Sequence, residues 1–370
     1  MAIKAGVVGM GGIGNTHANV YKANEATELV GVCDINGKRA DDSAARLGVK
    51  AYYSMKDMVD DNPDLRILSV ATSGLENGSM HFEPAMEALG YGKAVLVEKP
   101  LCADIGEARE LVRYAASRKL KLGCNLNHYF TDLAGMAKGK IDSGEIGELV
   151  YCLHKMGFDG GDLNYPSQPD RKSRWFKPYS HCKAFLTHPF SVMRYFCGDI
   201  THIQAFLDRP GVRKSAGDPM LSINSINCRF EAGGVGVLIS TRGDSRFGLG
   251  GWWSYEHSAT KGTFCIENCV EKLTYWPGPR KNDEGKSYFP EPEVTDTGVK
   301  DFGSTFPSRI NAWIEDVAND VSYEYVRSSG RDALATLEYI EAAIQSYEHG
   351  GELMVPHRLP PLHGTIENVH

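Results

Sequence analysis

The sequence predicts an α/β domain with a doubly wound parallel sheet, followed by an α+β domain carrying a large, open, mostly antiparallel sheet. Three observations lead there. A GxGxxG turn stands between an apolar strand pattern and a helix pattern at the N-terminus. Strand and helix patterns then alternate to about residue 124, and beyond residue 125 strand patterns succeed one another with few helices between them. The 370 residues suffice for about two domains, which are placed at 1–124 and 125–370.

The first strand and helix lie in "IKAGVVGMGGIGNTHANVYKA". In the turn between them Gly9 permits a tight bend, Gly11 lets a pyrophosphate approach the backbone, and Gly14 lets helix and strand pack closely. The helix start adds unpaired N–H groups and a positive dipole end for the phosphates. A second strand, "ELVGVCD", ends in Asp34, twenty residues beyond Gly14, the distance at which an acid meets the adenine ribose hydroxyls of a dinucleotide. The first domain is thus read as a Rossmann domain. An acid at that point repels a 2′-phosphate, so NAD is expected over NADP; Lys38 and Arg39 follow and are read as solvated helix residues.

Next come a strand at 66–73, containing Ala71 and Thr72, a helix in "HFEPAMEALGYG", and a strand in "KAVLVEKP". The stretch "VLVEKPL" is apolar until Glu98 and Lys99, so both charges fall at the carboxyl end of a buried strand, where open α/β sheets place their ligands. A helix with Asp104 as its N-cap and a strand in "LKLGCNLN" complete the domain. The expected cofactor contacts are Gly9, Gly11, Gly12, Ile13, Gly14, Asp34, Ala71, Thr72, Glu98 and Lys99.

In the second domain, strands are expected in "GELVYCLHKMGF", "THIQAFLD", "SINSINCRFE", "GVGVLISTRG", "GTFCIENC" and "KLTYWPG". Residues 159–184 read as a long loop, 278–304 as polar and rich in Pro and Gly, and two helices close the chain, the second ended by Gly350 and Gly351. Long loops over a sheet facing a dinucleotide domain are where a substrate pocket would form. Trp252 and Trp253 are read either as a stacking surface for a sugar ring or aglycone or as sheet or subunit packing, His81 as a helix-packing residue, and Arg242 and Asp244 as further pocket candidates.

Composition narrows the partners. Forty Lys and Arg against forty-seven Asp and Glu, a formal charge of −7, argue against a nucleic-acid surface. No run of 18 apolar residues offers a membrane span, and the first residues show neither a long apolar stretch nor a cleavage site. The nine scattered cysteines, with only Cys265 and Cys269 close together, form neither a zinc pattern nor a disulfide scaffold. A cytoplasmic protein with reduced thiols and no metal is expected.

Several blocks together carry a resemblance: "GVVGMGGIGNTH", "AMEALGYGKAVLVEKPL", "KIDSGEIGELV", "THPFSVMRYFCGD" and "EAAIQSYEHG". Across nearly the whole chain the sequence resembles the glucose–fructose oxidoreductase / inositol dehydrogenase / rhizopine catabolism (Gfo/Idh/MocA) family. The resemblance implies that the second-domain sheet builds a homodimer or higher homo-oligomer. It implies that Lys99 hydrogen-bonds the hydroxyl being oxidised, that Glu98 lies beside the cofactor, and that His188 is the acid–base residue. The family commonly carries an aspartate four residues before this histidine; here that residue is Ala184. Lys183, His181 and Tyr179, or His128 and Tyr129, are the candidates to take over part of its role and contact substrate.

The expected function is an NAD-dependent dehydrogenase oxidising a secondary hydroxyl of a sugar, glycoside (at carbon 3 in one subclass) or inositol. Two alternatives stay open: a redox-neutral NAD-dependent glycosidase, and a non-catalytic NAD-binding regulator.

Overall fold

The computed structural model describes residues 2–73, 80–158, 179–208, 221, 223–242 and 251–359. Asp244 and most of the 159–184 stretch lie outside the described residues, as do the side chains of His181 and Arg242.

The N-terminal domain alternates strictly. Its strands are β1 (Ile3–Val8), β2 (Thr27–Cys33), β3 (Lys50–Tyr52), β4 (Ile67–Val70), β5 (Ala94–Val97) and β6 (Leu122–Cys124). Between them lie α1 (Gly12–Ala23), α2 (Gly37–Leu47), α3 (Met55–Asp61), α4 (Phe82–Gly90) and α5 (Ile105–Ser117). The strands pair in parallel in the order β3-β2-β1-β4-β5-β6. The order reverses between β1 and β4, and the crevice beyond their carboxyl ends is where such sheets bind ligands. Val95, Leu96 and Val97 of β5 are fully buried, as a strand covered on both faces requires. Asp104 caps α5 by accepting from the N–H groups of Gly106 and Glu107.

The second domain starts with a 3₁₀ turn, Asn127–Tyr129, and α6 (Asp132–Asp142). There follow β7 (Leu149–Phe158), α7 (Ser180–Cys197), β8 (Ile200–Asp208), β9 (Ile223–Phe230), β10 (Val235–Arg242), β11 (Trp253–Ala259), β12 (Gly262–Glu267) and β13 (Lys272–Pro277). A short ribbon, β14 (Arg280–Lys281) with β15 (Ser287–Tyr288), and β16 (Glu293–Asp296) lie in the stretch read from sequence only as polar. The large sheet runs β16-β13-β12-β11-β7-β10-β9-β8 and is antiparallel except where β7 meets β10.

Two closing helices, α8 (Thr305–Ala318) and α9 (Gly330–Glu348), tie the halves together. Ile310, Trp313, Ile314 and Val317 of α8 join the core formed by Ile3, Ala5, Val7 and Leu29. Helix α9 begins with a reciprocal cap between Ser329 and Asp332 and packs against α5, α7 and β8.

The sequence reading names neither α6, nor α7, nor the strand β11. The end of the expected 159–184 loop is helical, because α7 starts at Ser180. Its interior Pro189 and the polar stretch before it hide the helical period. None of the nine cysteines forms a disulfide, and no helix among the described residues is long and apolar enough to cross a membrane.

Candidate active site

The glycine turn takes the shape its sequence demands. Gly9 has φ +91°, and a Cβ there would lie 2.6 Å from the Ala71 carbonyl oxygen. A Cβ on Gly14 would lie 1.8 Å from the Gly9 carbonyl oxygen, so only glycine lets α1 close on the strand. Cβ atoms on Gly11 and Gly12 would meet nothing within 4 Å. That openness, beside the first turn of α1, fits a pyrophosphate approaching the backbone. Asp34 is buried and braces the turn: its Oδ2 accepts from the Met10 N–H (2.8 Å) and its Oδ1 from the Asn36 N–H (2.8 Å).

A cleft of about 640 Å³ opens at this point. The Rossmann domain lines it with Gly9, Gly11, Gly12, Ile13 and Asp34, with Ala71 and Thr72, and with Glu98 and Lys99; His188, Phe302 and Phe306 line it from the second domain. Arg39, read from sequence as a solvated helix residue, is exposed but also reaches the cleft, while Lys38 pairs with Asp42 (2.6 Å). Gly14 is the one expected cofactor residue that does not line the cleft, since it is spent on packing.

Glu98 is held by a buried polar chain. Its Oε1 accepts from His17 Nε2 (3.0 Å) and from Asn125; His17 Nδ1 lies 3.2 Å from Ser69 Oγ, itself 2.8 Å from the Tyr21 hydroxyl. Burial works to raise the Glu98 pKa, but His17, Asn125 and Lys99 bring it below the ordinary carboxylate value. Glu98 therefore stands ionised beneath the cleft. The roles of His17 and Asn125 were missed from sequence. The available signal was a histidine on the buried face of the helix that follows the glycine turn, which must find a polar partner.

Lys99 precedes a cis peptide to Pro100, and its Nζ donates to the Ala184 carbonyl (3.4 Å) on α7. That contact brings the end of β5 against the helix carrying His188. His188 stacks on His128, ring centroids 3.7 Å apart and planes 7° from parallel. His128 is buried, and burial, with Lys99 and His154 adding to it, pushes its pKa well below the ordinary imidazole value. Phe302 meets His128 edge-on at 4.7 Å and Trp252 at 5.4 Å. Trp253 is sheet packing, edge-on to His154 at 4.9 Å.

The other candidates lie elsewhere. Lys183 points away from the cleft, with Nζ 2.6 Å from Glu341 Oε1 and 3.0 Å from the Ala103 carbonyl. The Tyr179 hydroxyl donates to Glu348 (2.6 Å). Tyr129 stacks on Tyr195 at 4.5 Å and lines a different cavity, of about 600 Å³, with Arg194 and Arg327. Of the four such candidates whose side chains are described, only His128 sits at His188. His81, by contrast, does line the cleft, from the buried start of α4, with its ring nitrogens 2.7 Å from the Pro100 carbonyl and 3.2 Å from that of Thr72.

Residues 3–126 match the oxidoreductase family with an NAD-binding Rossmann fold, Gfo/Idh/MocA. The chain is 29% identical over 147 residues to the glucose-6-phosphate 3-dehydrogenase of Bacillus subtilis, a match spanning 40% of each chain. It thus spans about two fifths of that relative's length. With the inositol 2-dehydrogenase of Rhodococcus jostii it is 25% identical over 366 residues, 95% of this chain and 92% of the relative. The fold is shared with a levoglucosan dehydrogenase solved with NADH and levoglucosan, at TM-score 0.81 and 20% identity over 97% of this chain and 100% of the other. The glycine turn, the Asp34 brace and Lys99 all lie within residues 3–126, the part of the chain that matches the NAD-binding Rossmann domain of the Gfo/Idh/MocA oxidoreductases.

Proposed function

We propose that the protein is an NAD-dependent dehydrogenase that oxidises a secondary hydroxyl of a sugar, glycoside or inositol. One observation carries the reading: a single cleft is lined by the dinucleotide turn and Asp34 on one side and by Lys99 and His188 on the other. When bound, the nicotinamide supplies a hydride acceptor. The residues of the chain must then manage a proton and a negative charge. An alcohol is about as weak an acid as water, whose pKa is roughly 15.7. The Lys99 ammonium donates to the substrate oxygen and stabilises the charge that develops there. The neutral His188 imidazole takes the hydroxyl proton. Glu98, ionised and fixed by His17 and Asn125, balances the Lys99 charge. Phe302 and Phe306 shield the cleft and offer apolar surface to the C–H face of a sugar ring.

Oxidation at carbon 3 of a pyranoside is the finer form of the proposal, supported by the name of the Bacillus relative. The proposal includes a second copy of the chain packed on the open face of the large sheet, supported by the exposed Tyr151, Phe206, Val235 and Ile239 there. The deciding experiment offers the purified protein NAD⁺ with glycosides, free pyranoses and inositols and follows NADH absorbance. NADH formed with at least one carbohydrate is expected. Loss of a glycoside without net NADH would transfer the assignment to a redox-neutral glycosidase, and no turnover with intact NAD binding would favour a regulator.

A further inference from the structure

His188 must become a cation when it takes a proton, and it must do so beside the ammonium of Lys99. A carboxylate one helical turn before it would share its face of α7 and offset that cost, but the residue there is Ala184, whose carbonyl instead receives Lys99. One face of the His188 ring is covered by another imidazole. The rings of His128 and His188 lie 3.7 Å apart and 7° from parallel, closer and flatter than the offset arrangement aromatic pairs ordinarily adopt.

The two rings have different surroundings. His128 is 4% exposed, is met edge-on by Phe302, and has a buried Nδ1 with no hydrogen-bond partner among the described residues. His154 lies behind it from β7, and Cys269 donates to its backbone carbonyl. Lys99 from the β5 turn and His154 from β7 both oppose a charge on His128, and Glu98 is engaged by His17 and Asn125. The 302–306 turn contributes only phenylalanines. His188 is half-buried and lines the cleft. The pair therefore has a ring that stays neutral and a ring that can take a proton. No group of three His, Cys, Asp or Glu among the described residues is placed to hold a metal ion, so the cluster is not a metal centre on these residues.

We propose that His128 is a positioning residue whose neutral ring face stabilises the protonated form of His188. The interaction is that of a cation over an electron-rich ring face. It requires the face of His128 and not its nitrogens, which distinguishes it from a proton relay.

The inference rests on reading His188 as the base, but its test does not need turnover. Histidine labelled with ¹³C reports the His188 titration midpoint by NMR in the NAD-bound protein. His128→Phe keeps the ring face and the apolar surroundings; His128→Leu keeps the apolar surroundings and removes the face. The Phe variant is expected to hold the wild-type midpoint within about 0.3 pH units, while the Leu variant lowers it by about one unit, a tenfold change in proton affinity. Should His128→Leu fail to bind NAD, His128→Met takes its place with the same expectation. Equal midpoints in the Phe and Leu (or Met) variants overturn the proposal. If both midpoints are lowered together, the effect belongs to the His128 nitrogens and not to its face. Absence of NADH with every carbohydrate would instead remove the base assignment and leave these midpoints readable.

Discussion

Lys183 Nζ lies 2.6 Å from Glu341 Oε1, joining α7 to α9 on the side of α7 that faces away from His188. Lys183 is 7% exposed and also donates to the Ala103 carbonyl, so its charge is committed to holding helices together. Lys183→Met is expected to leave kcat within about threefold of wild type while lowering stability by about 1–3 kcal/mol, because it leaves Glu341 without its cation. Paired urea titrations and turnover assays check this. A hundredfold loss of kcat at unchanged stability would return Lys183 to the site.

Lys99 and His188 should behave as one unit. General acid–base catalysis contributes about 10²–10⁴-fold, so His188→Ala is expected to lose kcat on that order with NAD affinity nearly unchanged. Lys99→Met should lose at least as much, and the double variant should be little worse than the poorer single, since both act on one transition state. Wild-type turnover in His188→Ala would mean that another residue is the base.

How much of this was readable in the sequence depends on the range of each signal. The glycine turn, Asp34 and the buried β5 run are local patterns, and the structure places them together at one cleft. Lys183 was drawn toward the site only because it is near His188 in sequence. On a helix, five residues is about 140° of rotation, so the two point to different sides, whereas Ala184 and His188 share a face. Recognising α7 as a helix was the missing step. Likewise His128 and Tyr129 are consecutive on a 3₁₀ turn, whose tight winding sends one against His188 and the other to the second cavity. The His17–Glu98 bond joins residues 81 apart, and no local pattern reports that.

Asp34 is expected to set the preference between the two dinucleotides. NAD⁺ is expected to bind at least about tenfold more tightly than NADP⁺, some 1.4 kcal/mol, in a calorimetric titration. Asp34→Asn removes the charge, at the loss of one of the two acceptors that now serve the Met10 and Asn36 N–H groups, and should narrow that ratio, helped by Arg39 at the same cleft. Tighter NADP⁺ binding by the wild-type protein would contradict the assignment.

Acid should destabilise the fold through His154. Burial pushes its pKa down to about 3, with the Pro189 carbonyl acting the other way, whereas an unfolded histidine titrates near 6.5. Between those values the unfolded chain holds the extra proton, so the stabilising contribution is full above about pH 6.5 and is lost as pH falls toward about 3. His154→Phe, in a site already walled by Trp253 and Tyr255, should flatten that acid limb by on the order of 2 kcal/mol at pH 4. Urea midpoints at pH 7.5 and 4 measure it.

The open sheet face asks for cover. Phe206 and Ile239 flank Ser225 across β8, β9 and β10, and Val235 lies beside Tyr151; these four apolar or aromatic side chains are exposed. A second copy of the chain, presenting the same face, would bury them. Light scattering at micromolar concentration should give at least twice the chain mass, and Ile239→Arg should lower it. A monomer in the wild-type protein would sink this expectation.

The stacked imidazoles also bear on how the protein can move. His128 and Tyr129 sit on one turn, His188 and Tyr195 on α7, and each makes a parallel ring contact across the same gap, two rungs of one short ladder. Both supports lie beyond residue 125, whereas Lys99 lies before it. Any hinging at that junction that widened the cleft for cofactor exchange would carry both rungs as a rigid piece and change only their separation from Lys99. Closure would then be the event that joins ammonium to imidazole, so an open protein could exchange its dinucleotide with the reactive pair held apart.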